Sequence, residues 1–308
     1  MDTTITLPQE ISTFYSKTFL ERAKARITYD WISTPKNHNL NDGLVGVFSR
    51  EGLLAAATTP LTEGVNPTAQ TSTAVTVTYT VAPYGGYIKV SELFKMTSID
   101  EGLKEKMDTI AEQAARSIDE LVRATAALTT TVSRSNSRVS DVTVVATDVL
   151  TGKDFRRMST LLDVNKAPKF ESGYYRAIIS AQQAFDLRGD SEWLDAYRYT
   201  DTTNAIINGE ITRFHGFDIK ITNNPNVTAT GAAGINLYSA FFAGRGAITH
   251  IALGGKNMPE IVVKTSGAQD TSNPLNMFST IGWKAHMAFK VLNNDWIVNF
   301  KSATAYVG

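Results

Sequence analysis

Histidine and acidic side chains could carry acid–base or metal chemistry in this chain, so their spacing decides which reactions the sequence could support. The histidines are His38, His215, His250 and His286, and no two of them have the spacing of metal ligands on one element. Only His215 has an acid close by, Asp218, and both fall in a stretch typical of a β-hairpin, which makes no metal site. Each histidine is therefore expected to be structural or to lie on the surface.

The glycine-rich stretches and the acid pairs also lack a catalytic pattern. HIALGGKN departs from a phosphate-binding loop at both ends, because His250 stands at the first glycine and Asn257 at the Ser/Thr position. AGRGAIT has Thr249 where a dinucleotide-binding loop needs its third glycine, and no serine lies in a GxSxG motif. Helix capping and a solvated helix face account for Asp100-Glu101 and Asp119-Glu120. We therefore expect no enzyme and no cofactor, with an enzyme that has an unrecognised site as the rival hypothesis.

Length and composition restrict the fold and the setting. A chain of 308 residues exceeds the usual ~100–150 residues of one compact domain, so two lobes or one elaborated fold are expected. No apolar run is long enough for a membrane helix, and MDTTITLPQEISTFYSK lacks the pattern of a secretion signal. The chain has no cysteine, which excludes disulfides and thiolate metal sites. A cytosolic setting is expected.

Charge balance disfavours a nucleic-acid reader. Thirty basic residues cancel thirty acidic ones, so the chain has no basic footprint for sequence readout. A net charge near zero also lets identical copies meet without long-range repulsion, although ordinary scatter in composition explains the balance equally well.

The first ninety residues contain an unusual excursion. Residues 8–27 have apolar residues at a four-residue spacing, which predicts an N-terminal helix. Short strands are predicted at 43–50 and, from the Val/Thr alternation of AVTVTYTV, at 74–81. Residues 51–71 between them have no periodicity, and such a long structureless loop is unusual inside a compact domain. The two strands therefore predict an arm that becomes ordered against another molecule.

Residues 98–129 give the clearest helix signal. Ser98 and Glu101 have the spacing of a capping box, and apolar residues follow at intervals of three and four. The narrow, alanine-rich stripe favours a helix that lies across a sheet. A bundle helix or a coiled coil fits the same spacing.

The remaining chain has a mixed pattern. Strands are predicted at 139–150, at 174–180 and within 235–265. Helices are predicted at 151–163, with Thr151 as cap, and at 181–188. Residues 207–221 are typical of a hairpin, with turns around Asn208-Gly209 and Gly216. Alternation over 281–291, a turn at 293–295 and a second strand at 296–307 predict a long C-terminal hairpin.

Several collinear blocks resemble one family of known proteins. The blocks are FYSKTFLERA (14–23), ATTPLTEGVNP (57–67), VTVTYTVAPYGGYIKVSELF (75–94), TSIDEGLKEKMDTIAEQAARSIDELV (97–122), YYRAIISAQQAFDLR (174–188), NGEITRFHGFDIKIT (208–222) and WKAHMAFKVLNND (283–295). Together they are similar to the major capsid proteins of tailed bacteriophages, whose fold is shared with encapsulins. Residues 223–280 are the least characteristic part.

The resemblance implies an α+β phage capsid fold with four parts. These are an N-terminal arm at 1–40, an extended β-hairpin loop at 41–90 that lies over a neighbouring subunit, a peripheral domain at 91–145 and 276–308 with a spine helix at 98–129, and an axial domain at 146–275. The loop sequence is too small and polar to order itself, and an adjacent subunit would supply the missing contacts.

The resemblance also implies function and partners. The chain would form hexamers and pentamers of an icosahedral shell around double-stranded DNA, held by weak non-specific contact. The shell would assemble in the host bacterial cytoplasm with scaffolding, portal and decoration proteins, without a membrane. An encapsulin-like nanocompartment is the alternative within the same fold.

Five residues of the loop region are expected to contact another subunit. Arg50, Glu51 and Glu63 are the few charges there and could form ion pairs between subunits, with solvated surface charge as the other reading. Pro60 and Pro67 flank the loop tip and complete the set.

Overall fold

A computed structural model describes residues 27–52, 54–93, 102–198, 213–256, 258–264, 274–275 and 277–306. Almost all of the predicted N-terminal helix at 8–27, the capping box at Ser98 and Glu101, and the turn at Asn208-Gly209 lie outside these residues. The described ranges contain both helices and sheets, as an α+β fold requires. No helix in these ranges has both the length and the apolar character needed to cross a bilayer.

The first sheet is built around a 14-residue strand, β13 (Phe278–Val291). Five strands form this sheet: β1 (Ser33–His38), β4 (Ala82–Ser91), β11 (Ile248–Leu253), β12 (Glu260–Lys264) and β13. One edge of β13 pairs with β4, and the other edge pairs first with β12 and then with β11, which in turn pairs in parallel with β1. The N-terminal strand β1 thus completes a sheet made mainly of C-terminal strands.

The second sheet has seven strands and contains the end of the chain. Its strands are β5 (Val132–Arg134), β6 (Tyr175–Ser180), β7 (Arg213–Phe214), β8 (Phe217–Thr222), β9 (Asn226–Thr228), β10 (Leu237–Ala243) and β14 (Ile297–Ser302). They follow the order β5-β14-β10-β6-β8-β7, with β9 also paired to β10. Strands β2 (Val45–Glu51) and β3 (Ala74–Thr80) form a separate antiparallel pair, here called the ribbon.

The long helix α1 (Gly102–Ala127) confirms the predicted helix over its described length. Its buried residues include Met107, Ile110, Ala114 and Ile118, which follow the predicted spacing of three and four. This stripe packs against side chains of both sheets, including Trp283 of β13. The helix therefore lies across strands, as its alanine-rich stripe predicts, and not in a helical bundle.

Three shorter helices cover the other face of the second sheet. They are α2 (Gly152–Val164), α3 (Ala181–Arg188) and α4 (Ser191–Arg198). The predicted cap of α2 is confirmed, because the carboxylate of Asp154 accepts a hydrogen bond from the amide of Thr151 at 3.2 Å. Phe155 of α2 packs edge-to-face against Phe217 and Phe242 in the second core.

The predicted strand at 139–150 is wrong. These residues form a 3-10 turn at Asp141–Thr143 and irregular loops. Val139 and Val142 are exposed, so the apolar alternation does not mark a buried face. Asp148 accepts hydrogen bonds from Arg138 and from the amide of Val145, and such local bonds compete with strand pairing.

The predicted C-terminal hairpin is also wrong. Both strands and the turn between them exist, but β13 belongs to the first sheet and β14 pairs with β10 and β5 in the second. The turn passes the chain from one sheet to the other, and Trp296 beside it packs against both cores. The other predicted strands and helices within the described residues are confirmed, whereas the division into four parts stays a prediction.

Candidate assembly surfaces

The ribbon presents two different faces because alternate residues of a strand point to opposite sides. On one face Phe48 stacks on Tyr79 with ring centroids 4.7 Å apart, and Tyr79 packs near Ile251 and Ala288 of the first sheet. The opposite face carries Val45, Val47, Ser49 and Glu51 from β2 with Ala74, Thr76, Thr78 and Thr80 from β3, and all are exposed. One side of the ribbon is therefore attached to the body, and the other is free for a second molecule.

The loop between the ribbon strands is exposed throughout its described residues. Residues 54–73 form neither helix nor strand, and every one of them is exposed. Three of the exposed residues are large and apolar, namely Leu54 at 57 %, Leu61 at 75 % and Val65 at 64 % of full exposure. The sequence-based prediction of a long irregular excursion is thus confirmed.

The structure places the five predicted contact residues at this excursion. Arg50 and Glu51 lie at the far end of β2, and Pro60, Glu63 and Pro67 lie in the loop, all exposed. Arg50 has a contact within its own chain, because its guanidinium lies 5.9 Å from the ring of Trp296. Glu51 accepts a hydrogen bond from Ser72 across the loop. Their role in contacts between subunits stays a prediction.

A buried histidine fixes the root of the ribbon. The Nδ1 atom of His38 lies 2.9 Å from the hydroxyl of Tyr79, and its Nε2 atom lies 3.0 Å from the carbonyl oxygen of Gly43. The ring of Tyr79 lies across Gly46, where an added Cβ atom would be 2.2 Å from the ring. The sequence analysis expected His38 to be structural or exposed but did not predict this role, because its partner is 41 residues away.

The segment at residues 28–38 is held by the body in the opposite manner to the loop. Tyr29 is fully buried against Phe241, and its hydroxyl donates a hydrogen bond to the carbonyl oxygen of Asn224. The ring of Trp31 lies 4.8 Å from the cationic groups of both Arg176 and Lys220. Aromatic anchors therefore order this segment on its own chain.

An acid of the long helix caps the start of this segment. The Oδ1 atom of Asp119 accepts hydrogen bonds from the amides of Thr28 at 2.8 Å and Tyr29 at 3.0 Å. Burial raises the pKa of Asp119 to about 6, and these two amides only partly offset that effect. The sequence analysis assigned Asp119 to a solvated helix face, and that assignment is wrong because the N-terminal segment covers it.

A second acid joins the same segment to the first sheet. Asp30 lies 3.1 Å from the Nδ1 atom of the buried His250 and accepts a hydrogen bond from Ser33. Burial alone would raise the pKa of Asp30, but the hydrogen bond and charge of His250 outweigh burial and lower it. Segment 28–38 is thus fixed at both its start and its centre.

The face of the first sheet that points away from α1 is basic. This face carries the side chains of Lys89, Lys264, Lys284, His286 and Lys290. Their register positions in the sheet alternate with those of the buried Trp283 and Met287, which lie on the α1 side. All five are exposed, and Glu260 is the acid on the same strands, 3.9 Å from Lys284. This face can attract an acidic group of another molecule.

The histidines considered in the sequence analysis lie in separate places in the described part of the chain. No three His, Asp or Glu side chains there lie close enough to share a metal ion. Asp218 pairs with Arg213 at 2.8 Å, and His215 lies 3.6 Å from Glu192 instead. The exposed surfaces described above are the loop, the outer ribbon face and the basic sheet face.

Comparison with solved structures shows the class of fold. The capsid of Ralstonia phage GP4 matches with a TM-score of 0.70 and 13 % identity over 92 % of this chain and 91 % of that one. The capsid of the cyanophage P-SCSP1u matches with a TM-score of 0.66 and 15 % identity over 89 % and 87 %. A virus-like particle from Pyrococcus furiosus matches with a TM-score of 0.52 and 8 % identity over 94 % and 99 %. The chain therefore has the phage capsid fold.

Sequence comparison then identifies the family. The family model described as phage capsid protein matches residues 73–299, which is well over half of the chain. A search of curated proteins finds no match. The chain belongs to the phage capsid protein family and is a structural protein of the phage shell.

Proposed function

We propose that this chain is the major capsid protein of a tailed double-stranded DNA phage. Its copies form hexamers and pentamers, which close into an icosahedral shell around the genome. One observation carries the proposal beyond family membership, namely the loop at 54–73, which is exposed along its whole length in the isolated chain. A second copy is the occupant that a shell provides for it.

Physical reasons support this use of the loop. Its small polar residues cannot bury enough surface within the chain to offset the entropy of ordering. Laid over a neighbour, Leu54, Leu61 and Val65 lose contact with water, and symmetry repeats the gain at every subunit. Zero net charge keeps repulsion between copies low.

The parts of the chain receive roles on this proposal. Residues 1–40 act as the arm, 41–90 as the extended loop, 91–145 and 276–308 as the peripheral domain with its spine helix, and 146–275 as the axial domain. Pro60, Glu63 and Pro67 contact the neighbouring subunit, and Arg50 and Glu51 support the loop at its origin. Surface ion pairs contribute only ~0–1 kcal/mol each, so repetition around the shell matters more than any one pair.

The proposal extends to other partners. Scaffolding, portal and decoration proteins take part in assembly in the bacterial cytoplasm, and the packaged DNA is held weakly and without sequence preference. The neutral charge of the chain supports weak contact, since phosphate binding grows with the number of neutralising cations. The shell acts without catalysis.

Electron microscopy of the purified chain tests the proposal, with icosahedral particles or capsomers as the expected result. A variant that lacks residues 52–70 should remain folded, since residues 54–70 are exposed, but should no longer assemble. In a control variant a glycine-serine sequence of the same length replaces residues 52–70. This variant keeps the length of the loop but removes its side chains, so it separates the loss of contacts from the shortening of the loop. Normal particles from both variants would contradict the role of the loop.

A second candidate is an encapsulin-like nanocompartment shell. The match to the Pyrococcus furiosus virus-like particle favours it, at a lower TM-score than the phage capsids have. Portal and terminase genes beside the gene for this chain would support the phage shell, and a cargo gene would support the nanocompartment.

A further inference from the structure

A cavity of about 370 Å³ lies at the root of the ribbon. Its walls come from four elements: Thr78 and Thr80 of β3, Tyr84 of β4, Leu121 and Thr125 of α1, and Phe289 and Lys290 of β13. The lining is mixed, with threonines from β3 and α1 beside apolar residues such as Leu121 and Phe289. A peptide with both apolar and polar groups fits such a lining.

The cavity also exposes an unpaired backbone edge. Strand β4 pairs with β13 only from Phe278 to Met287, whereas β11 continues along the opposite edge to Val291. Residues 288–290 therefore pair with no strand on the cavity side within the described chain, although β3 lies close to this end of β13. Such an edge can accept hydrogen bonds from, and donate them to, an extended peptide.

One charge in the cavity lacks a partner. Lys290 is exposed and makes no ion pair with any residue in the described ranges. It is the only charged residue among those that line the cavity. A carboxylate beside Lys290 would complete the site.

The loop tip carries the matching groups. Thr62 to Val65 form a β-turn, in which the amide of Val65 donates to the carbonyl oxygen of Thr62 at 3.1 Å and Gly64 has φ +81°. Glu63 lies in this turn and is the only charged residue between Glu51 and Lys89. Exposed Leu61 and Val65 flank it. The tip is thus a preformed turn with one acid between two apolar side chains.

We infer that this cavity receives the loop tip of a second copy of the chain. Glu63 pairs with Lys290 of the other copy, and Leu61 contacts its apolar wall beside Leu121 and Phe289. The match of the single acid of the loop to the single charge of the cavity favours this occupant over another partner. The inference rests on the proposed shell function and names the contact through which the loop acts.

The tip does not fill the cavity of its own chain in the structure. The ribbon, seven residue pairs long, extends about 20 Å at roughly 3.3 Å per residue, and the tip belongs to the loop that follows its far end. Leu61 and Glu63 are both exposed there. Because Thr78 and Thr80 belong to both the cavity wall and the ribbon, an arriving tip also braces the ribbon of the receiving copy. A copy whose ribbon is held in this way then presents its own loop tip to the next copy around a capsomer.

Cysteine crosslinking tests the inference directly, since the natural chain has no cysteine. A double variant with Glu63→Cys and Lys290→Cys is assembled and treated with a short bismaleimide. The expected result is a ladder of linked chains on a denaturing gel, because every subunit offers one tip and one cavity. A variant with Glu63→Cys and Lys284→Cys is the matched control, since Lys284 lies on the same face of β13 outside the cavity.

Two outcomes would overturn the inference. One is a ladder no stronger for the Lys290 pair than for the Lys284 pair. The other is crosslinking within single chains only, which would show that the loop folds back. If the unmodified chain forms shells and either outcome is seen, this inference fails and the shell function stands. If the unmodified chain forms no particles at all, the shell function itself fails.

Charge exchange gives an independent measurement. Glu63→Lys or Lys290→Glu alone should raise the protein concentration needed for assembly several-fold, and the two changes together should restore it. The charge change Lys284→Glu should have a smaller effect. Equal loss in the double variant and the single variants would contradict the pairing of Glu63 with Lys290.

Discussion

Two polar segments near the start of the chain behave in opposite ways. Residues 28–38 lie on the body, with Tyr29 fully buried and Asp30 bonded to His250. Residues 54–73 are exposed along their whole length. Both segments contain threonine, proline and asparagine, so their general composition does not explain the difference. Aromatic side chains do, because the first segment has Tyr29 and Trp31 whereas the second has none.

The comparison shows what a segment needs in order to be ordered by its own chain. Fixing each residue costs roughly 1–2 kcal/mol of backbone entropy, and burial of a large side chain returns about 1.5–3 kcal/mol. Segment 28–38 adds hydrogen bonds from Asp119 to its first amides. The described loop residues have no such aromatic anchor, and on the proposed function a second copy orders them.

Removal of the aromatic anchor should have the largest effect on stability. Tyr29→Ala leaves a cavity in a fully buried site and should lower the free energy of unfolding by about 3–5 kcal/mol. Tyr29→Phe is the control and should cost about 1 kcal/mol, since the ring stays and only the hydroxyl's bonds with Asn224 and Thr222 are lost. Denaturant unfolding measures both values. An equal loss in the two variants would show that the hydroxyl, and not the ring, holds the segment.

Crowding the ribbon root should have the next largest effect. In Gly46→Ala the new methyl group would overlap the ring of Tyr79, and the ring must leave its place beside His38. We expect a loss of about 1–3 kcal/mol in the free energy of unfolding. Protease cleavage of the loop region should also become faster, because the ribbon is no longer held on the sheet. Unchanged cleavage would mean that Tyr79 does not fix the ribbon.

The cap of segment 28–38 should respond to pH. The pKa of Asp119 is raised by burial to about 6, so the folded state binds this proton more tightly than the unfolded chain does. Its contribution to stability is therefore present at low pH and is lost as pH rises through about 6. Asp119→Asn keeps the oxygen that accepts from Thr28 and Tyr29 and removes the titration.

Relative to this variant, wild type should lose about 1 kcal/mol between about pH 5 and about pH 7. Asp30 has the opposite sign, since its pKa is lowered and its contribution is lost only at more acidic pH. Denaturant unfolding at both pH values, on wild type and Asp119→Asn, gives the difference. A constant difference between the two proteins would show that Asp119 does not titrate in this range.

The loop should give the smallest effect on stability. Leu61→Ala removes an exposed side chain, so the free energy of unfolding should change by less than about 0.5 kcal/mol. Assembly, measured by light scattering, should nevertheless weaken. A large loss of stability in the isolated chain would remove the contrast between the two segments.

Local patterns predicted most of the elements. The spacing of Ile110, Ala114 and Ile118 indicates a helix, and the Val/Thr alternation before Tyr79 indicates a strand, because each period follows from backbone geometry alone. The lack of any pattern at 54–73 likewise predicts an excursion. The failed strand at 139–150 shows the limit, since Asp148 bonds to its own neighbours and Val139 pairs with no strand among the described residues.

Tertiary structure decided which elements meet. The turn after β13 is local, but the pairing of β14 with β10 depends on residues more than fifty positions away. The two residues of the proposed contact differ in the same way, one being recognisable from the sequence and the other only from the tertiary structure. Glu63 could be chosen from the sequence as a rare charge in the loop, whereas Lys290 has meaning only where β4 leaves the edge of β13 free. Short-range periodicity thus determined the helices, strands and loop, and long-range pairing, which no local period encodes, decided the surfaces they form.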